Sequence, residues 1–92
     1  MSELRRSVQI INQRGLHARA SAKFVGAVAE LSSDTQVRVA KDGNEAAGGS
    51  ILGLMMLGAA KGDTIDVIVT GANADGVLED LCGLVEDGFG EV

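Results

Sequence analysis

Apolar residues recur along this chain with a period that changes from segment to segment. Val8 and Ile10 alternate with Ser7 and Gln9, the two-residue period of a strand with one buried face. Asn12-Gln13-Arg14-Gly15 then supplies turn chemistry. From Ala18 onward Phe24, Val25, Val28 and Leu31 recur at helical spacing among several alanines, which predicts an amphipathic helix closed by Ser32-Ser33-Asp34. Val37 and Val39 alternate with Gln36 and Arg38. Asp42-Gly43 follows at once and predicts a two-residue hairpin turn into a short return strand, Glu45 to Ala47, that Gly48-Gly49 interrupts. Ser50 caps a helix expected to run to about Leu57, with Gly58 and Lys61-Gly62-Asp63 as its exit. Ile65, Val67 and Val69 mark a further strand in which the apolar Ile68 blurs the alternation, and Val77, Leu78, Leu81, Leu84 and Val85 describe a last helix ending near Gly88.

The predicted order is β-α-β-β-α-β-α. Four strands with the helices on one face make a two-layer α+β sandwich. The 92 residues, 46% of them apolar, suit one domain over 1–92, with no repeat or linker. Proline, tryptophan and tyrosine are absent while glycine occurs 13 times, yet the apolar content excludes a disordered or collagen-like chain. One cysteine, Cys82, cannot form an internal disulfide, and with the single histidine it falls short of a closed zinc site, so no metal is expected and a reducing compartment is. The first residues lack the apolar core of a secretory signal, and the longest apolar run, Ile51 to Ala60, is half of the ~20 residues that span a bilayer. A soluble cytoplasmic protein without membrane contact is expected.

Charge is informative by position. The net charge of −5 and the two aromatic residues, Phe24 and Phe89, argue against nucleic-acid binding. Between Glu3 and Glu30 there is no carboxylate, while Arg5, Arg6, Arg14, Arg19 and Lys23 fall in that interval; from Gly62 to Val92 there are eight acids and no base. This polarity predicts a local basic face for an anionic partner. Within the interval, His17 stands where the glycine turn becomes a helix. The amides of Ala18, Arg19 and Ala20 belong to the first turn and lack intrahelical acceptors, and the positive end of the helix favours an anion over an imidazolium. A neutral imidazole there is a nucleophile whose phosphorylated product is an anion at an anion site, and Arg19 has the donor fork to grip phosphate oxygens. The other reading of His17 is a plain helix cap. No Ser/His/Asp or Cys/His arrangement surrounds it, which suits carrying a group better than a full catalytic cycle. Ser50 reads as an N-cap and, alternatively, as a regulatory phosphorylation target. Its helix carries apolar residues on more than one face, so that part of it is expected to stay exposed for partners, the alternative being a fully buried helix. Gly53 and Gly58 have phosphate-loop spacing, but Ala59-Ala60 stands where Lys-Ser/Thr is needed, and no cofactor is expected.

Gly15-Leu16-His17-Ala18-Arg19, together with Ser50-Ile51-Leu52-Gly53-Leu54-Met55-Met56-Leu57 and Lys61-Gly62-Asp63, resembles the HPr family, the histidine-containing phosphocarriers of the bacterial phosphoenolpyruvate-dependent phosphotransferase system. The resemblance covers nearly the whole chain. It implies a four-stranded antiparallel open-faced sheet with three helices on one face, and a monomer. It also implies that His17 accepts a phosphoryl group on Nδ1 from Enzyme I and passes it to an EIIA-type protein, with Arg19 assisting. Ser50 matches the serine modified by HPr kinase/phosphorylase in some bacteria, and Ile51, Leu52 and Met55 fall on the helix with which the family docks its partners. Ala20 and Ser21 depart from the usual proline and alanine after the arginine, as in the regulatory or nitrogen-related branch, which leaves the downstream acceptor open.

Two other classes compete. One is a regulatory binding module controlled through Ser50, with His17 idle. The other is a ferredoxin-like small-ligand domain, which shares the first six elements but is disfavoured by the terminal helix and the missing ligand constellation.

Overall fold

The computed structural model describes residues 3–91. The elements are β1 (Glu3–Gln9), α1 (Ala18–Ala29), β2 (Gln36–Lys41), β3 (Asn44–Ala47), α2 (Ile51–Met56), β4 (Thr64–Thr70) and α3 (Ala74–Glu86), followed by a 3₁₀ turn at Gly88–Gly90. The predicted order and the α+β class therefore hold. The helix opened by Ser50 ends one residue short of Leu57, which becomes its C-cap, and the last helix starts three residues ahead of Val77 behind a left-handed Asn73.

The strands form one antiparallel sheet in the order β1-β4-β2-β3. Because β1 and β2 each pair antiparallel with β4, they run parallel to each other with β4 between them. The β1-α1-β2 connection must therefore cross the sheet, and β3-α2-β4 crosses it again with β2 in the middle. The two interlocked crossovers put the helices on one face. At the β2–β3 hairpin Asp42 and Gly43 both take positive φ, 51° and 85°, the type I′ geometry that the Asp-Gly pair predicts.

Val8, Val37, Val39, Ile65, Val67 and Val69 face the helices and meet Phe24, Leu54, Val77, Leu81, Val85 and Phe89 in a continuous core. Ile68, which breaks the alternation in sequence, lies on the opposite face and is nevertheless 1% exposed. Arg5 and Arg38 are its cross-strand partners. Their heads pair outward, Arg5 with Asp66 at 3.3 Å and Arg38 with Glu3 and Glu45 at 2.7 and 2.9 Å, so that their aliphatic stems roof the isoleucine. Among the described residues no helix is long and apolar enough to cross a membrane.

Candidate functional site

The loop from β1 to α1 is fastened at several points. Ile10 N–H donates to Asp63 O and Ile10 O accepts from Gly62 N–H, both at 2.8 Å, which docks the loop on the turn before β4. Gly15 N–H donates to Asn12 O at 3.2 Å, and Leu16 N–H to Ala59 O at 3.0 Å. Gly15 has φ +61°, and a Cβ there would stand 2.2 Å from Ala59 O, so close backbone approach and left-handed conformation both require glycine. Leu16 enters the core, and its carbonyl accepts from the buried Ser21 hydroxyl at 3.2 Å.

His17 follows as the N-cap residue of α1. Its backbone carbonyl accepts the first helical bond, from Ser21 N–H at 2.9 Å, so the N–H groups of Ala18, Arg19 and Ala20 precede the helical ladder. The imidazole makes no capping bond. It turns instead to Glu91, with Nε2 at 2.6 Å from Oε2. A carboxylate only accepts, so Nε2 carries a proton, and in the neutral ring Nδ1 presents its lone pair. Nδ1 has no partner among the described residues and reaches solvent.

Glu91 is held from its other side as well. Asn12 Nδ2 donates to Glu91 Oε1 at 3.1 Å and to Gly15 O at 2.8 Å, which spends both amide hydrogens and fixes the amide's orientation. Asn12 is 5% exposed and its Oδ1 is buried without a partner. The bond from His17 is the main influence holding the Glu91 carboxyl below the usual carboxylate range; partial burial opposes it, and the Asn12 amide adds to the lowering. Glu91 is delivered by the 3₁₀ turn, where Phe89 is fully buried at φ 58° and its carbonyl accepts from Lys23 Nζ at 2.6 Å.

His17 opens onto a cleft of about 550 Å³ whose charged lining is Arg14, Arg19, Lys23, Lys61, Asp87 and Glu91. The basic face predicted from the sequence is thus present but differently composed. Arg5 is engaged on the far face of the sheet and Lys23 holds the tail, whereas Lys61, from outside the acid-free interval, joins the site and bonds Gln13 Oε1 at 3.0 Å. Arg19 is exposed and makes no hydrogen bond or ion pair among the described residues. His17 is half-buried at the N-terminus of α1 and does not lie in the sheet interface, so the arrangement that would favour a ferredoxin-like domain is not found.

Ser50 caps α2 by accepting from Gly53 N–H at 2.9 Å. Only Leu54 of that helix is buried. Ile51 and Met55 are each 41% exposed, Leu52 68% and Met56 77%, so the fully buried alternative is wrong. α2 packs against α1, which places this apolar surface on the same side of the sheet as His17. The sequence reading missed Asn12 and Glu91, and saw Phe89 only as an aromatic. The one signal for them was an acid and an aromatic among glycines after the last helical period, which carries no spatial address.

The family model described as PTS HPr component phosphorylation site matches residues 4–87. The chain is 43% identical to phosphocarrier protein HPr of Neisseria meningitidis serogroup A over 88 residues, covering 96% of this chain and 97% of that one. It is 37% identical to phosphocarrier protein NPr of Shewanella violacea over 91 residues, covering 99% and 98%. The crystal structure of HPr-C-His from Thermoanaerobacter tengcongensis superposes with a TM-score of 0.87 at 34% identity, covering 100% and 99%. With both motifs, the fold and the full length in agreement, the chain belongs to the HPr family of phosphotransferase-system phosphocarriers.

Proposed function

We propose that this single domain accepts a phosphoryl group from phosphorylated Enzyme I on Nδ1 of His17 and passes it to an EIIA-type protein. The observation that carries the reading is the Nδ1 of His17, without a partner among the described residues, on the N-cap residue of α1, whose first three amides precede the helical ladder, with the unengaged Arg19 lining the same cleft. Transfer in this setting is an in-line displacement in which the protein positions groups and stabilises charge. The amides of Ala18, Arg19 and Ala20 receive the phosphoryl oxygens and Arg19 closes over them. Four basic side chains around a cleft on a chain of net charge −5 steer it onto acidic partner faces, and Ile51, Leu52 and Met55 supply apolar contact. A carrier must release its cargo, which an open cleft permits and an enclosed anion site would not.

Incubation with Enzyme I and labelled phosphoenolpyruvate is expected to label the protein in an acid-labile, base-stable form that His17→Ala abolishes. An unlabelled wild-type protein would sink the proposal. Cytoplasmic residence and action as a monomer belong to the same reading; sedimentation at working concentration checks the second.

The exposed α2 also favours a second reading, a regulatory binding module governed by HPr kinase/phosphorylase at Ser50. A phosphate on the Ser50 hydroxyl would replace the cap on Gly53 and place charge beside Ile51 and Leu52. If Ser50→Asp abolishes biological activity while His17→Ala preserves it, this reading prevails.

A further inference from the structure

We propose that Glu91 is a positioning residue for phosphoryl transfer, held by Asn12 so as to keep the Nε2 proton of His17 in place and to balance the charge that the ring acquires. The inference rests on the phosphocarrier reading and extends it to a residue 74 positions away in sequence.

Three observations converge. The Nε2 to Oε2 distance is 2.6 Å, short for an N–H···O bond, and the pair is shielded, with His17 and Glu91 side chains at 15% and 20% of full exposure. The other carboxylate oxygen is fixed by an amide that is itself buried and committed to Gly15 O, so the carboxylate has little freedom to turn away. Both sides of the contact carry a local cost: in the segment that delivers Glu91 the buried Phe89 lies in the left-handed region, and in the loop between β1 and α1 the Asn12 Oδ1 is left without a donor. Backbone strain and an orphaned buried acceptor beside a reactive side chain indicate that the surroundings hold this arrangement against its local cost.

The chemistry follows from the tautomer. In the transfer, the Nδ1 lone pair forms the N–P bond while the bond from phosphorus to the donor atom of phosphorylated Enzyme I breaks, its electron pair returning to that donor. His17 keeps its Nε2 proton and becomes a positively charged ring, and the Glu91 carboxylate, already bonded to that proton, offsets the charge. On transfer to the acceptor the N–P electron pair returns to Nδ1 and the ring is neutral again. A ring in the other tautomer has its Nδ1 lone pair replaced by a proton and cannot attack.

Two variants separate the two roles. Glu91→Gln keeps an oxygen that accepts the Nε2 proton but has no charge; Glu91→Ala keeps neither. With ring-¹⁵N histidine, the wild-type protein and Glu91→Gln are expected to show a slowly exchanging Nε2-bound proton by NMR, lost in Glu91→Ala. In single-turnover transfer from phosphorylated Enzyme I, Glu91→Ala is expected to slow the maximal rate by about tenfold and Glu91→Gln by less, the half-saturating concentration of Enzyme I staying the same. An unprotected Nε2 proton in the wild-type protein would overturn the proposal, as would unchanged rates or a change confined to half-saturation, which would make Glu91 a docking residue. A wild-type protein that is not phosphorylated at all overturns the phosphocarrier reading and this one with it; normal wild-type labelling with an unaffected Glu91→Ala overturns this one alone.

Discussion

Replacing Gly15 by alanine tests whether the loop in front of His17 is built as described. Two costs are involved, and a second glycine separates them. Gly58 has almost the same backbone, φ +66° against +61°, but a Cβ there meets nothing within 4 Å. Gly58→Ala therefore carries only the penalty of a left-handed non-glycine residue, ~1 kcal/mol. At Gly15 the new carbon would lie 2.2 Å from Ala59 O and 2.8 Å from Ala60 Cα, both backbone atoms with no rotamer to yield. Relief requires the loop to withdraw from Ala59, the acceptor of the 3.0 Å bond from Leu16 N–H. Leaving that donor unsatisfied adds ~1–3 kcal/mol, for a total of ~2–4 kcal/mol out of the ~5–15 kcal/mol that hold a domain together. In thermal unfolding this amounts to a fall of ~10–20 °C for Gly15→Ala against ~5 °C for Gly58→Ala. Because the displaced residue adjoins His17, the proposed acceptor, phosphoryl acceptance is expected to fall by ~100-fold in Gly15→Ala and to stay normal in Gly58→Ala. Equal melting temperatures for the two variants, or full acceptance by Gly15→Ala, would refute the close-approach argument.

Three further outcomes are expected. The Glu91 carboxyl is lowered by its bond to His17, so its contribution to stability is complete above the unfolded value of about 4.3 and is lost as the pH falls through the lowered folded value; urea midpoints of wild type and Glu91→Gln should differ near neutrality and converge in acid, and a constant offset would contradict this. Burial pushes the Cys82 thiol up, with Arg6 pulling it weakly the other way, and the residue is 0% exposed; a disulfide reagent should label it on the order of 1000-fold more slowly in the native protein than in urea, and rapid native labelling would show that α3 opens locally. Ala20→Pro should fold within ~1 kcal/mol of wild type and still accept phosphate, because the Ala20 N–H precedes the helical ladder; failure to fold would mean that the ring does not fit the buried Ala20 site.

The elements were readable because each buries one face, and burial writes a period into the sequence. Alternation located β4 and the β2–β3 hairpin, and the Asp42-Gly43 pair named its turn. His17 was readable for a different reason: a helix start is local chemistry, specified by the residues that flank it. Pairing order was not readable, since periodicity says which face of a strand is wet but not that β4 lies between β1 and β2. Ile68 looked like noise because its roof is made of Arg5 and Arg38, residues that a hydropathy pattern counts as polar. The acid-free interval suggested five bases in one face, but linear proximity ignores where a strand points its side chains, and Arg5 points away. Glu91 and Asn12 were silent because their importance lies in a contact between distant segments.

The separation of 74 positions between His17 and Glu91 also bears on when the site comes into being. Contacts of such sequence separation form after the intervening chain has been ordered, since closing so long a loop costs entropy that only the assembled sheet and helices offset. The two crossovers must be in place and Phe89 seated in the core before a carboxylate can reach the ring. A nascent or partly unfolded chain carries the same histidine in the same local sequence, but without its partner. On the proposed mechanism, full reactivity at His17 would then report that the domain is complete, and unfinished molecules would compete poorly for phosphoryl groups.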